Sequence, residues 1–133
     1  MASAAVEELI ESYLTENWTR APVLVVNQDA ETPADGSPFL VLQYPLSDVT
    51  RPFVNQRTYR EEGGFRIVIN VPRNEGTATI RLWGAELAAL FRDRQIGPVK
   101  CGIPSEPYTD NESDEGNYFT GAMVCEFTYD FEG

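Results

Sequence analysis

Residues 118–131 read YFTGAMVCEFTYDF, and their alternation decides the fold. Phe119, Gly121, Met123, Cys125, Phe127, Tyr129 and Phe131 fall on one side of an extended chain, because successive side chains of a strand point to opposite faces. The other side carries Thr120, Glu126, Thr128 and Asp130. A strand with one apolar and one polar face belongs to a sheet covered on a single side, so the polar face is expected to be wet. A second alternation stands at 65–71, where Phe65, Ile67, Ile69 and Val71 share a face. Shorter runs, VLVV at 23–26, FLVLQYPL at 39–46 and the stretch 98–103, read as further strands. Pro45 marks either a strand end or a sheet edge, since it has no amide proton to donate.

The cover for that apolar face is legible too. Val6, Leu9, Ile10, Tyr13 and Leu14 recur at helical spacing, with Ser3 as the expected N-cap, Glu7 and Glu8 at the positive end and Asn17-Trp18 as the close. A second helix is predicted from about Thr77 to Gln95, with Ile80, Trp83, Leu87, Leu90 and Phe91 as its buried stripe and Gly97-Pro98 as its stop. Residues 27–38 and 104–117 read as loops. Residues 47–64 lack periodicity and fit either a flexible loop or a projecting hairpin arm, with Gly63-Gly64 expected to turn at positive φ before the strand. The predicted fold class is α+β: a two-layer domain over 1–133, a mainly antiparallel sheet with two helices packed on one face, in the order α-β-β-β-α-β-β.

Composition narrows function by exclusion. Ten Lys+Arg stand against 21 Asp+Glu, a net charge of −11. Such a chain is poorly suited to gripping phosphate backbones or anionic lipid surfaces. The chain has no histidine, which removes the commonest metal ligand and general base. There is no stretch of 18 apolar residues, and the N-terminus lacks a basic leader region, so a cytosolic protein without membrane contact is expected. Cys101 and Cys125 make one bridge if their strands adjoin, or are buried free thiols as expected of an intracellular chain.

No motif demands chemistry. Phosphate-cradling glycine patterns are missing, and a Ser-Lys dyad would have to use Lys100, the single lysine, inside a strand. Asp110, Glu112 and Asp114 alternate as calcium-loop ligands do, but position 115 holds glutamate where the loop needs glycine, and 121 holds glycine where it needs glutamate. The acidic loop therefore reads as a solvated surface or a protein contact. No catalytic, cofactor or metal site is expected, and Trp18, Trp83 and Cys125 read as core.

A succession of features goes beyond composition. Tyr59-Arg60 and Gly63-Gly64 precede the 65–71 strand that ends in Pro72; the second helix closes on Leu90-Phe91, and the aromatic strand 118–131 ends the chain. Together with an opening helix closed by Asn17-Trp18, this order resembles the tail terminator-like proteins of long-tailed bacteriophages. The stretches 47–62 and 106–115 have no counterpart in that pattern. The resemblance implies a small α+β subunit without enzymatic activity or cofactor. It implies a homo-hexameric ring on the tail tube that stops tube polymerisation and offers a joint to the head connector. The expected partners are further copies of the chain, the tube protein and the connector protein, with DNA passing through the lumen without sequence-specific binding. The expected location is the virion tail, after assembly in the host bacterial cytoplasm. A head–tail connector or stopper is the alternative within the structural class; an acidic DNA-mimic inhibitor and a carboxylate hydrolase are alternatives outside it.

A closed ring joins two different patches of the same chain. The candidates are Arg51, Arg57, Tyr59 and Arg60 on one segment, and Asp110, Glu112, Asp114 and Glu115 on another.

Overall fold

The structure, a computed structural model, describes residues 4–18, 23–25, 38–50, 57–72, 78–105, 108–110 and 118–132. The elements are α1 (Ala4–Asn17), β1 (Val23–Val25), β2 (Phe39–Thr50), β3 (Thr58–Pro72), α2 (Ala78–Phe91), β4 (Gln95–Ile96), β5 (Val99–Cys101), β6 (Tyr108–Asp110) and β7 (Tyr118–Glu132). They form one seven-stranded sheet in the order β1-β2-β3-β7-β5-β4, with β6 pairing β7 off that path. Every pairing is antiparallel except β1 with β2. The α+β class, the sheet character and the two helices on one face are as the alternation predicts. Two short strands, β4 and β6, are additions to the predicted order.

The apolar side of β7 is the core side. Met123 and Cys125 pack with Phe65, Ile67 and Ile69 of β3, Leu40 and Leu42 of β2, and the helix stripes Val6, Ile10, Leu14 and Ile80, Trp83, Leu87, Phe91 in one cluster. Edge-on ring contacts knit the layers: Phe91 meets Phe65 at 4.9 Å and Tyr13 at 5.3 Å, and Trp18 meets Trp83 at 5.4 Å. Tyr13 also donates its hydroxyl to the Leu90 carbonyl at 2.8 Å, so α1 satisfies a free acceptor at the end of α2. Cys101 and Cys125 are both free thiols and both buried.

Several boundaries differ from the sequence reading. Of the stretch 47–64, residues 47–50 and 58–64 pair as an antiparallel arm, with Ser47 opposite Gly63 and Thr50 opposite Arg60, and residues 51–56 lie outside the described residues. Pro45 does not end the strand. It sits where the register shifts between Gln43 and Leu46, on a part of β2 that β1 does not pair. Gly63 and Gly64 are not a turn: both lie inside β3, and neither has a positive φ. The second helix stops at Phe91, because Asp93 takes a left-handed φ of 50°. Gln95 is therefore in β4, and Gly97-Pro98 turns the β4–β5 hairpin, Gly97 with φ 57°. The predicted 104–117 loop contains β6. The second face of the sheet is wet only in part: Phe39, Asn70, Thr120 and Ala122 are buried there, whereas Glu126 and Asp130 are exposed. Ser3 and the predicted 27–38 loop, save Pro38, lie outside the described residues.

Candidate interaction surface

The arm extends β2 and β3 along the C-terminal half of β7, where Thr58 pairs with Glu132 and Arg60 with Asp130. On its core-facing side the apolar alternation continues as an aromatic ladder. Tyr59 stacks on Phe131 at 5.6 Å and Phe131 on Tyr129 at 5.5 Å, all three partly exposed. Glu61, buried in this row, accepts a hydrogen bond from the Ser47 hydroxyl at 2.6 Å. On the opposite side the Arg60 guanidinium forms a bidentate pair with Asp130, at 2.8 and 3.1 Å. That hydrogen bond holds the Asp130 carboxyl below its ordinary pKa and raises that of Arg60.

The sequence candidates thus divide. Tyr59 and Arg60 meet the end of β7 within their own chain, and Arg57 stands exposed just before β3. Asp110 belongs to β6, with its backbone opposite Thr120. Thr120 and Asp130 are ten positions apart along β7, about 34 Å at strand rise, so the arginine segment and Asp110 lie toward opposite ends of the sheet. Arg51, Glu112, Asp114 and Glu115 fall outside the described residues.

Sequence reading missed a broad groove of about 1030 Å³ on the face away from the helices. Four strands floor it in cross-strand rows. Asp48, Glu62, Thr128 and Lys100 form one row, each directly opposite the next. Beside it run Gly64, Glu126 and Gly102: Gly64 pairs with Glu126, and the Gly102 amide donates to the Glu126 carbonyl at 2.8 Å. Among the described residues no cation comes within 4 Å of Asp48, Glu62 or Glu126. The available signal was Gly63-Gly64, which in a strand marks close approach by another group as readily as a turn. Among the described residues no cluster of Cys, Asp or Glu is placed to hold a metal. No described helix is long and apolar enough to cross a membrane.

A search of curated proteins finds no match. Twelve solved chains match. One of them covers 100% of this chain and 99% of its own with a TM-score of 0.63 at 19% identity, a likeness of fold alone. The model of a family described as phage tail terminator protein matches residues 5–122. That span takes in both helices and the sheet as far as the first third of β7, and the chain belongs to the phage tail terminator family, a family of structural tail proteins.

Proposed function

We propose that this chain closes the end of the phage tail tube as a ring of identical subunits, six in number, and provides the joint to the head connector. The observation that carries the reading is the family match across residues 5–122. The architecture supports it. Helices cover one face of the sheet and leave a groove on the other, so the subunit has two unlike sides, as a head-to-tail ring requires. The function is structural, with no catalytic step and no cofactor.

Termination needs a subunit that matches the end of the tube on one side and offers no equivalent seat for another tube ring on the other. Like charges facing each other disfavour a wrong partner, and a net charge of −11 supplies carboxylates for that purpose. An acidic lumen also keeps a passing duplex from sticking, over a Debye length of about 8 Å at physiological salt. Arg51, Arg57, Tyr59 and Arg60 on one subunit, and Asp110, Glu112, Asp114 and Glu115 on the next, are proposed contacts that set the register of the ring.

A phage lacking this protein tests the role. Overlong or irregular tails that fail to join heads are expected, and adding the purified protein should halt tube growth in vitro. Normal tails with normal joining reject the terminator role. Tails of correct length that merely fail to join move the assignment to the connector.

A further inference from the structure

The groove floor has an unusual construction. Gly64 and Gly102 flank Glu126 from the neighbouring strands, yet neither glycine has a positive φ. A Cβ built on Gly64 would lie 3.5 Å from the nearest atom, the Cys125 carbonyl oxygen, and one on Gly102 would lie 3.6 Å from the Glu126 carbonyl oxygen. Both are ordinary van der Waals contacts, so the subunit's own backbone does not require glycine at either place. Glycine weakens a strand interior, and at Gly102, half-buried beside Glu126, it lowers the floor for something that approaches closely, whereas Gly64 is already buried within the subunit. The charges point the same way. Asp48 and Glu62 stand directly opposite each other across β2 and β3, an arrangement of like charges that disfavours the isolated sheet.

The molecule carries a complement on its other side. Ala78, Arg81, Leu82, Ala85, Ala89 and Arg92 are all exposed, and at 100° per residue they occupy one arc of about 100° along α2 and its last turn. The arc holds two arginines and no acid, and Leu82 is 56% exposed. Three alanines make it smooth between its borders. Asp48 and Glu126 lie about 12 Å apart by strand spacing and rise, and Arg81 and Arg92 about 16 Å apart along the helix, a difference that arginine side chains span.

The geometry points to a specific ring contact: the α2 arc of one subunit seats in the glycine-floored groove of the next, with Arg81 and Arg92 against Asp48, Glu62 and Glu126. This rests on the ring reading above and adds to it the two faces that meet. The helix and the groove lie on opposite sides of the sheet, so the contact is heterologous and propagates from subunit to subunit.

Self-association of the purified chain, followed by sedimentation over a concentration series, tests it alongside thermal melts. Gly102→Ala, whose added Cβ makes only an ordinary contact with the Glu126 carbonyl oxygen, is expected to melt at or above the wild-type temperature while weakening association at least tenfold. Glu126→Arg, an exposed change that leaves the fold intact, should weaken it similarly, as should the double variant Arg81→Glu, Arg92→Glu. Mixing those two charge-reversed proteins should restore mixed oligomers. Groove variants that associate like the wild type overturn this contact while leaving the ring in place. Groove variants that self-associate normally but no longer bind tail tubes give the groove to the tube protein, which also overturns it. A wild-type chain that stays monomeric both free and on tail tubes overturns the ring reading and this contact with it.

Discussion

Phe91 shows how one side chain serves three elements. It is fully buried at the end of α2 and meets Phe65 of β3 and Tyr13 of α1 edge-on. Phe91→Ala should cost about 3–5 kcal/mol, because the layers can collapse into the vacated volume only partly. Against a usual domain stability of about 5–15 kcal/mol that loss is large, and a denaturant titration should shift its midpoint accordingly. Tyr44 contributes to stability on the alkaline side. Burial, then the Glu11 and Glu7 carboxylates, push its hydroxyl pKa well above the ordinary phenol value, while it donates to the Glu7 carbonyl at 3.3 Å. Unfolded tyrosine releases its proton near pH 10, where the folded chain still holds it. Above that pH the unfolded state binds fewer protons, so stability falls as pH rises, by about 1.4 kcal/mol per pH unit for one group. Tyr44→Phe should flatten this alkaline slope, and unfolding titrations between pH 9 and 11 read it on the scale just given. An unchanged slope assigns it to other groups.

At the scale of elements, the α2 stop was misplaced because propensity and cation placement carried the helical pattern through Arg94. The chain instead turns left-handed at Asp93, and a hydrogen bond from the Asp93 amide to the Gly102 carbonyl at 3.0 Å ties that turn to the residue that follows β5. Arg94 then donates its side-chain N–H to the Leu90 carbonyl at 3.3 Å, a cation placed at the negative end of the helix. Asp93→Gly should leave stability unchanged or raise it by up to about 1 kcal/mol, whereas Asp93→Val should lower it by about 1–2 kcal/mol. Equal melting temperatures for the two variants would show that the turn relaxes without strain. The arm was ambiguous for a different reason. Its residues 58–64 are mostly polar because one face is open to water and the other ends in half-exposed aromatics, so no periodic apolar signal reaches Tyr59. Pairing with β7, whose own alternation is clear to Phe131, is what orders it.

For the whole molecule, assembly should depend on charge. If arginines of one copy face carboxylates of the next, association weakens as salt rises from 0.05 to 0.5 M, because exposed charges are screened at roughly 4–14 Å over that range. Sedimentation at the two ionic strengths measures it, and salt-independent oligomers would place the contact on apolar surface instead. Replacing Arg57 with Glu separates the proposed register contact from the internal Arg60–Asp130 pair, and wild-type incorporation into tails would remove Arg57 from the interface. By itself the sequence determined the α+β class, the core face of β7 and β3, and both helix stripes. Those features are written in periodicities of two and 3.6 that any solvent-covered core imposes locally. The lack of histidine likewise removes histidine-based catalysis and metal ligation directly. Tertiary structure alone decided that Gly63-Gly64 lies inside a strand, that Asp48, Glu62 and Glu126 share one groove, and that Arg60 is met by Asp130, seventy positions away. These are facts of register between strands distant in the chain, and register is set by which faces are buried together, a quantity no single segment carries.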